Sequence, residues 1–417
     1  MAPRPRPQVG ASPRRLRTGR ARWMAVGLGV LGSAWGLAGC GSPDLAQQPV
    51  NLSQGVPLGA VLALSGNASA YGQDQNTGLT LALAEFNGKG GINGKPLNLK
   101  IEDSGSDEPG ANAAFTLQIN RGVIALIGPT LSQQAFSADP IAQRHGVPVV
   151  APSNTATGIP EIGHFISRVS AQSSVIAPLS IAKALQLHPQ IRRAAVFYAQ
   201  DDAYSTAETT IFQKALTAKG LKPVTVQRTQ LNDQDFQSQI SAALQQKPDL
   251  VVLSLQAVDG GNMIRQLREL GYKGAIVVGN GMNTPNIYPI CQKYCDGILI
   301  AQAYSPELQS PANAAFLRRF KASQGGAIPP QLTAQAWTAL QVVAEALQRL
   351  DRRQPLKGTI LAEARQALMA EILSGTYQTP LGTIRFTPSG EVIQKDFFVA
   401  QVRMNADGKS GRFALLP

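Results

Sequence analysis

The sequence predicts an α/β fold made of two doubly wound parallel-sheet lobes, and three observations lead there. From Val56 onward, short β-branched or leucine-rich runs alternate with longer segments of helical period, as in parallel sheets covered by helices on both faces. The alternation occurs twice, once from Val56 and again from about residue 175. Polar loops follow the strands, at the ends where open α/β sheets hold their ligands.

In the first series "LGAVLAL" (58–64) is a strand, and "GLTLALAEFN" (78–87) places Leu79, Ala82, Leu83 and Phe86 on one helical face. "LNLKIED" is a strand and residues 110–121 suit a helix. "VIALIG" (123–128) is a buried strand, a helix follows from about Ser132 to Arg144, and "VPVVAP" (147–152) is a strand. In the second series "SVIAPLSIAKALQL" is a helix, "RRAAVFYA" a strand, 205–219 a helix and "KPVTVQ" a strand. Helix 235–246, strand "DLVVLSL", helix 261–270 and strand "GAIVVGN" continue it. "QAYSPELQSPAN" then breaks the pattern as a crossover does, and "AQAWTALQVVAEALQRL" is a helix. "GTIRFTPSGEV" and "QKDFFVAQVRM" read as strands around a Pro-Ser-Gly turn.

Ahead of both series, residues 27–40 read "GLGVLGSAWGLAGC" and match two motifs. Gly27, Gly29 and Gly32 fit G-x-G-x-x-G, but a dinucleotide loop needs a strand before it and an acid about 20 residues after it. An arginine-rich segment precedes these glycines instead. The arginines, the apolar run Trp23 to Leu37 and the small residues before Cys40 make a secretory signal, 1–39. Residues 40–55, rich in Ser, Pro and Gln without periodicity, read as a flexible tether.

The formal charge of +12 is concentrated in that leader: its seven arginines leave +5 for the rest of the chain. No basic run interleaved with aromatics remains, which excludes a nucleic-acid binder. His145, His164 and His188 are scattered without metal-ligand spacing, and neither a phosphate loop nor a G-x-S-x-G is present, so no metal, cofactor or catalytic residue is assigned. Cys291 and Cys295, spaced C-x3-C, are either a disulfide or two free thiols.

The loops after the strands carry ligand chemistry. Ser132 opens a helix, where a hydroxyl and backbone N–H groups hold an anion, although a plain helix cap has the same residue. Ser153, Asn154 and Thr155 form a second polar cluster or an ordinary turn, and Tyr71 and Tyr204 offer apolar walls with a polar tip. Asp201 and Asp202 are turn residues or partners for a ligand cation.

At these loops the chain resembles the leucine/isoleucine/valine-binding protein family, the type I periplasmic binding proteins of ABC importers. The segment "LALSGNASAYGQDQNTGLTLALAEFNGKGGINGKPLNLKIEDSGSD" carries most of the resemblance, with "VIALIGPTLSQQA", "GVPVVAPSNTAT" and "IRQLRELGYKGAIVVGNG". The resemblance, from about Val56 to Val402, implies two lobes joined by three hinge crossovers: lobe 1 from 56–172 and 304–386, lobe 2 from 173–303 and 387–417. It implies ligand contacts at Tyr71, Ser132, Ser153, Asn154, Thr155 and Tyr204, with Ser132 and Thr155 on an amino acid's α-carboxylate. In the second lobe Gln256 stands where an aromatic contact is expected. Gly281 stands where an acid for the α-ammonium is expected, a role open to Asp201, Asp202 or Asp259. "LAGC" resembles a bacterial lipobox, which implies a lipid on Cys40 and anchoring to the membrane on the extracytoplasmic side; the chain is expected to be a monomer. The implied partners are a small solute and a permease. Sensing by a receptor of the same fold, and amides or small organic acids as ligands, stay open.

Overall fold

A computed structural model describes residues 45–417. The expected signal, Cys40 and the start of the tether lie outside the described residues.

Five strands build the first sheet: β1 (Val56–Leu62), β2 (Leu97–Asp103), β3 (Ala125–Ile127), β4 (Val149–Ala151) and β5 (Ile166–Arg168). Their order is β2-β1-β3-β4-β5, and every neighbouring pair is parallel. Helices α1 (Ser69–Gly88), α2 (Glu108–Asn120) and α3 (Ser132–Arg144) make the crossovers. The order reverses between β1 and β3, which opens a crevice at the carboxyl ends of those strands. Edge strand β2 is mostly half-buried, with Lys100 and Asp103 exposed, whereas β3 and β4 are wholly buried.

The chain then runs through α4 (Ser173–Leu187), β6 (Ala194–Ala199), α5 (Ala203–Ala218), β7 (Pro223–Thr229), α6 (Gln237–Gln245), β8 (Leu250–Ser254), α7 (Ala257–Glu269), β9 (Ala275–Val278), the short α8 (Tyr288–Cys291) and β10 (Leu299–Gln302). Three helices follow, α9 (Pro311–Ser323), α10 (Gln331–Arg353) and α11 (Leu361–Ser374). Strands β11 (Tyr377–Thr379), β12 (Gly382–Phe386) and β13 (Val392–Ile393) form a small antiparallel sheet, and β14 (Phe398–Met404) and β15 (Gly411–Leu415) close the chain. The second large sheet has the order β15-β14-β10-β9-β8-β6-β7, parallel from β7 to β10 and antiparallel at β14 and β15. Its switch point lies between β6 and β8.

Two lobes therefore arise from a chain that crosses between them three times, after β5, after β10 and after β13. Helix α10 is buried along most of its length because it returns to the first lobe and lies against α1. The approach is close enough that a Cβ at Gly78 of α1 would collide with the Thr333 carbonyl. The first-lobe core joins α1, α10 and α11, with Leu79, Trp337, Leu340 and Leu368 among its members.

Two details differ from the sequence reading. The described part of the expected tether is docked: Pro49 bridges Ile360, the Val50 N–H donates to the Thr359 carbonyl (2.9 Å), and the Leu361 N–H donates to Gln48 (2.8 Å). Val50 is buried and Leu52 packs on the same core, so these two apolar residues hold the strap against the first lobe. The boundary expected at 386 falls inside the β12–β13 hairpin, where Phe386 and Val392 share one core. Cys291 and Cys295, for which the sequence leaves a disulfide and free thiols open, are separated by Gln292 at a positive φ of 52°. Their Cα atoms stand 5.4 Å apart, the sulfurs form a disulfide, and both residues are fully buried.

Candidate functional site

The loops at the two switch points face each other across a cleft. On the first lobe, Gln75 of α1 ties three of them together. Its Nε2 donates to Ser153 Oγ (2.6 Å) and its Oε1 accepts from Thr130 Oγ1 (2.7 Å). Thr130 in turn accepts the Ala63 N–H (3.0 Å), and Ser153 donates to the Thr130 carbonyl (2.6 Å). Ser132, the first residue of α3, accepts the N–H groups of Thr155 and Ala156, each at 3.2 Å. Its own proton is thereby left for an oxygen in the cleft, beside the positive end of a helix dipole. Asn154 is buried, and its Oδ1 has no hydrogen-bond partner.

The second lobe answers with α5 and the loop after β9. Asp202 caps α5 by accepting the N–H groups of Tyr204 (3.3 Å) and Ser205 (3.2 Å), and it also accepts Gln256 Nε2 (3.0 Å). The Tyr204 hydroxyl donates to Glu208 Oε2 (2.5 Å) and accepts the Gly281 N–H (2.6 Å). Glu208 Oε1 accepts the Asn280 N–H (3.0 Å) and the Ser173 hydroxyl (3.3 Å).

The lobes are closed on each other. The Tyr71 hydroxyl, on the first lobe, accepts the Ala257 N–H (2.6 Å) and donates to the Gly281 carbonyl. Gln133 Oε1 accepts the Ala203 N–H (2.9 Å), and the side chains of Asn67 and Asn232 are hydrogen bonded. In this closed form a small cavity of about 30 Å³ remains between the lobes.

Seven of the sequence-predicted residues line this one cavity: Tyr71, Ser132, Ser153, Asn154, Thr155, Tyr204 and Gln256. Asp202 does not line it but holds Gln256 from behind. Asp201 accepts the Leu231 N–H (2.8 Å) and Asp259 accepts the Asn232 N–H (3.2 Å), both as loop ties. Leu332, at the start of α10, completes the wall and carried no signal in the sequence because it is one apolar residue among many on the buried face of that helix. Glu208 was also invisible, as one acid on an amphipathic helix. Among the described residues no group of three or more His, Cys, Asp or Glu side chains is arranged to hold a metal, and no helix is long and apolar enough to cross a membrane.

Burial dominates the electrostatics. It pushes the Glu208 carboxyl up to about 7, against the opposing hydrogen bonds from Tyr204, Asn280 and Ser173. It likewise raises Asp202 to about 6 and Asp74, which faces Thr284 and Asn286 across the lobes, to about 7. Burial also raises the Tyr71 and Tyr204 phenols, so both stay protonated hydrogen-bond donors.

Comparison with known proteins agrees with this architecture. Residues 55–409 match a family model described as "Periplasmic binding protein". The chain is 25% identical over 384 residues to the leucine-, isoleucine-, valine-, threonine- and alanine-binding protein of Pseudomonas aeruginosa, covering 91% of this chain and 96% of that protein. It superposes on a leucine-binding protein from Thermotoga maritima with a TM-score of 0.76 at 25% identity, covering 87% and 98% of the two chains. A solute-binding protein of an ABC transporter from Rhodopseudomonas palustris, in complex with 3,4-dihydroxybenzoic acid, gives a TM-score of 0.74 at 19% identity, covering 87% and 96%.

Proposed function

The chain belongs to the periplasmic binding protein family, and on that premise we propose that it is the extracytoplasmic substrate-binding component of an ABC importer. It captures a small polar solute, a branched-chain or other neutral amino acid, and delivers it to a membrane permease without altering it. The observation that carries this reading is the cavity itself. Ser132 and Thr155 face it from the first lobe, Tyr204 and Gln256 from the second, and the Tyr71 hydroxyl spans the gap. A carboxylate set against the Ser132 and Thr155 hydroxyls, at the start of α3, gains charge-assisted hydrogen bonds in a water-poor site. The names of the P. aeruginosa and T. maritima relatives support an amino acid as the ligand.

In this reading lobe 1 is 56–172 and 304 to about 393, lobe 2 is the remainder of 173–417, and the solute binds one lobe before hinge closure buries it against the other. A lipid on Cys40 would hold the chain at the membrane. A second reading, a carboxylic acid without an ammonium group, draws support from the glycine at 281 and from the R. palustris relative.

Thermal-shift screening of the chain without its first 40 residues tests the proposal. A ligand that binds only the folded state raises the melting temperature by mass action. A shift with leucine-like amino acids supports it. A shift only with organic acids or amides removes the amino acid from the reading, and no shift with any of these solutes overturns it.

A further inference from the structure

Behind the cavity wall formed by Tyr204 lies a carboxylate without a cation. Glu208 is 1% exposed, and its oxygens are met by neutral donors only: the Tyr204 hydroxyl, the Asn280 N–H and the Ser173 hydroxyl. The charged neighbour that acts on it is another acid, Asp202, and none of its hydrogen-bond partners among the described residues is a lysine, arginine or histidine. A buried ionised carboxylate without counter-charge is strongly disfavoured. Either a proton suppresses the charge, or a cation arrives with the ligand.

Resting on the solute-binding reading above, we propose that Glu208 is the counter-charge for a ligand ammonium group, acting through the Tyr204 hydroxyl, so that the site selects amino acids over the matching carboxylic acids. The Tyr204 proton is committed to Glu208, so the phenolic oxygen presents its lone pairs to the Gly281 N–H and to the cavity that Tyr204 lines. An ammonium donating to that oxygen is stabilised by the ionised carboxylate on its far side, because hydrogen bonds in such a chain polarise one another. The glycines of the 279–281 loop fit this route. A Cβ at Gly279 would collide with Glu208 Oε2, and one at Gly281 would come within 2.8 Å of the Tyr204 ring. The space a side chain at 281 would need is thus filled by Tyr204, and the acid comes from α5 instead. On the facing wall the unpartnered, buried Oδ1 of Asn154 is a second acceptor for the same donor group, and Ser132 and Thr155 lie beside it for the carboxylate. With Glu208 held near 7 by burial, an arriving cation lowers its pKa and drives a proton off.

The test is calorimetric titration at pH 7 with L-leucine, L-alanine and 4-methylpentanoate (leucine without its ammonium), in buffers of different ionisation enthalpy. The wild-type protein is expected to bind an amino acid more tightly than 4-methylpentanoate and to release a fraction of a proton, since burial favours the protonated form of Glu208 before binding. Glu208→Gln is expected to weaken amino-acid binding about thirtyfold or more, to abolish the proton release and to leave 4-methylpentanoate unaffected. Tyr204→Phe, which keeps the acid and removes the relay, is expected to lose the same discrimination, and it serves if the Gln variant does not fold. Unchanged affinity and proton release in both variants overturn the assignment. Binding of 4-methylpentanoate without any amino acid also overturns it, while leaving the solute-binding reading in place; binding of none of the three overturns it and counts against that reading too.

Discussion

Arg168 and Glu391, separated by 223 residues, form a bidentate ion pair whose Arg side is completely buried: Nε lies 3.0 Å from Oε1 and Nη2 lies 2.6 Å from Oε2. The remaining nitrogen of the guanidinium, Nη1, donates to the carbonyls of Asn154 (3.3 Å) and Ala156 (2.6 Å). The loop 154–156, whose Asn154 and Thr155 line the cavity, is thus held from behind by an arginine at the end of β5, and that arginine is oriented by a glutamate from the β12–β13 hairpin.

Glu391→Ala should therefore be costly. It leaves a buried guanidinium without its partner, and the expected loss is about 3–5 kcal/mol of stability. Urea unfolding measures this, and ligand affinity should fall with it as the loop loses its support. A loss below about 1 kcal/mol, the range of exposed pairs, would show that the pair does not organise the site.

Ser132→Ala and Thr155→Val should each weaken the preferred solute by about 1–3 kcal/mol, roughly five- to 150-fold, as expected for a charge-assisted hydrogen bond. Equilibrium binding on the purified variants reads the effect. Affinities equal to wild type would move the ligand's acidic group elsewhere in the cavity.

Tyr71→Phe removes both cross-lobe bonds of the hydroxyl, leaving the Ala257 N–H and the Gly281 carbonyl without it in the closed form. At about 1 kcal/mol for each of the two lost bonds, affinity should drop about thirtyfold. Small-angle scattering with saturating ligand should then report a larger radius than for wild type. Identical scattering and affinity would mean that closure does not depend on this bridge.

Asp139 makes a prediction about pH. It is fully buried on α3, neither carboxylate oxygen has a partner, and burial raises its pKa well above the ordinary value. A raised folded-state pKa gives stability that is complete below the unfolded value, near 4, and is lost as pH rises from there through the folded value. Asp139→Asn cannot ionise, so its stability relative to wild type should increase as pH is raised from 4 toward neutrality. Urea midpoints measured across that range decide it, and a constant difference between the two proteins would contradict the assignment.

Much of this molecule is legible one segment at a time. The span 132–144 predicted for α3 and the segment "LNLKIED" of β2 are reproduced residue for residue, because periodicity and capping are set between near neighbours. Placing polar loops at strand ends was enough to find Tyr71, Ser132, Thr155 and Tyr204 around one cavity, since a parallel α/β sheet brings those loops to one edge. Tertiary structure alone decided the rest. Asp202, open in the sequence between turn residue and ligand partner, caps a helix, Glu208 carries no sign in the sequence yet lies buried behind Tyr204, and the strap at Val50 reads as free chain but is docked. Arg168 and Glu391 carry no local sign of each other. Such pairings depend on where three crossings between lobes bring distant segments together, and burial at those meeting points, rather than residue type, sets which acids are charged and which hydroxyls are free.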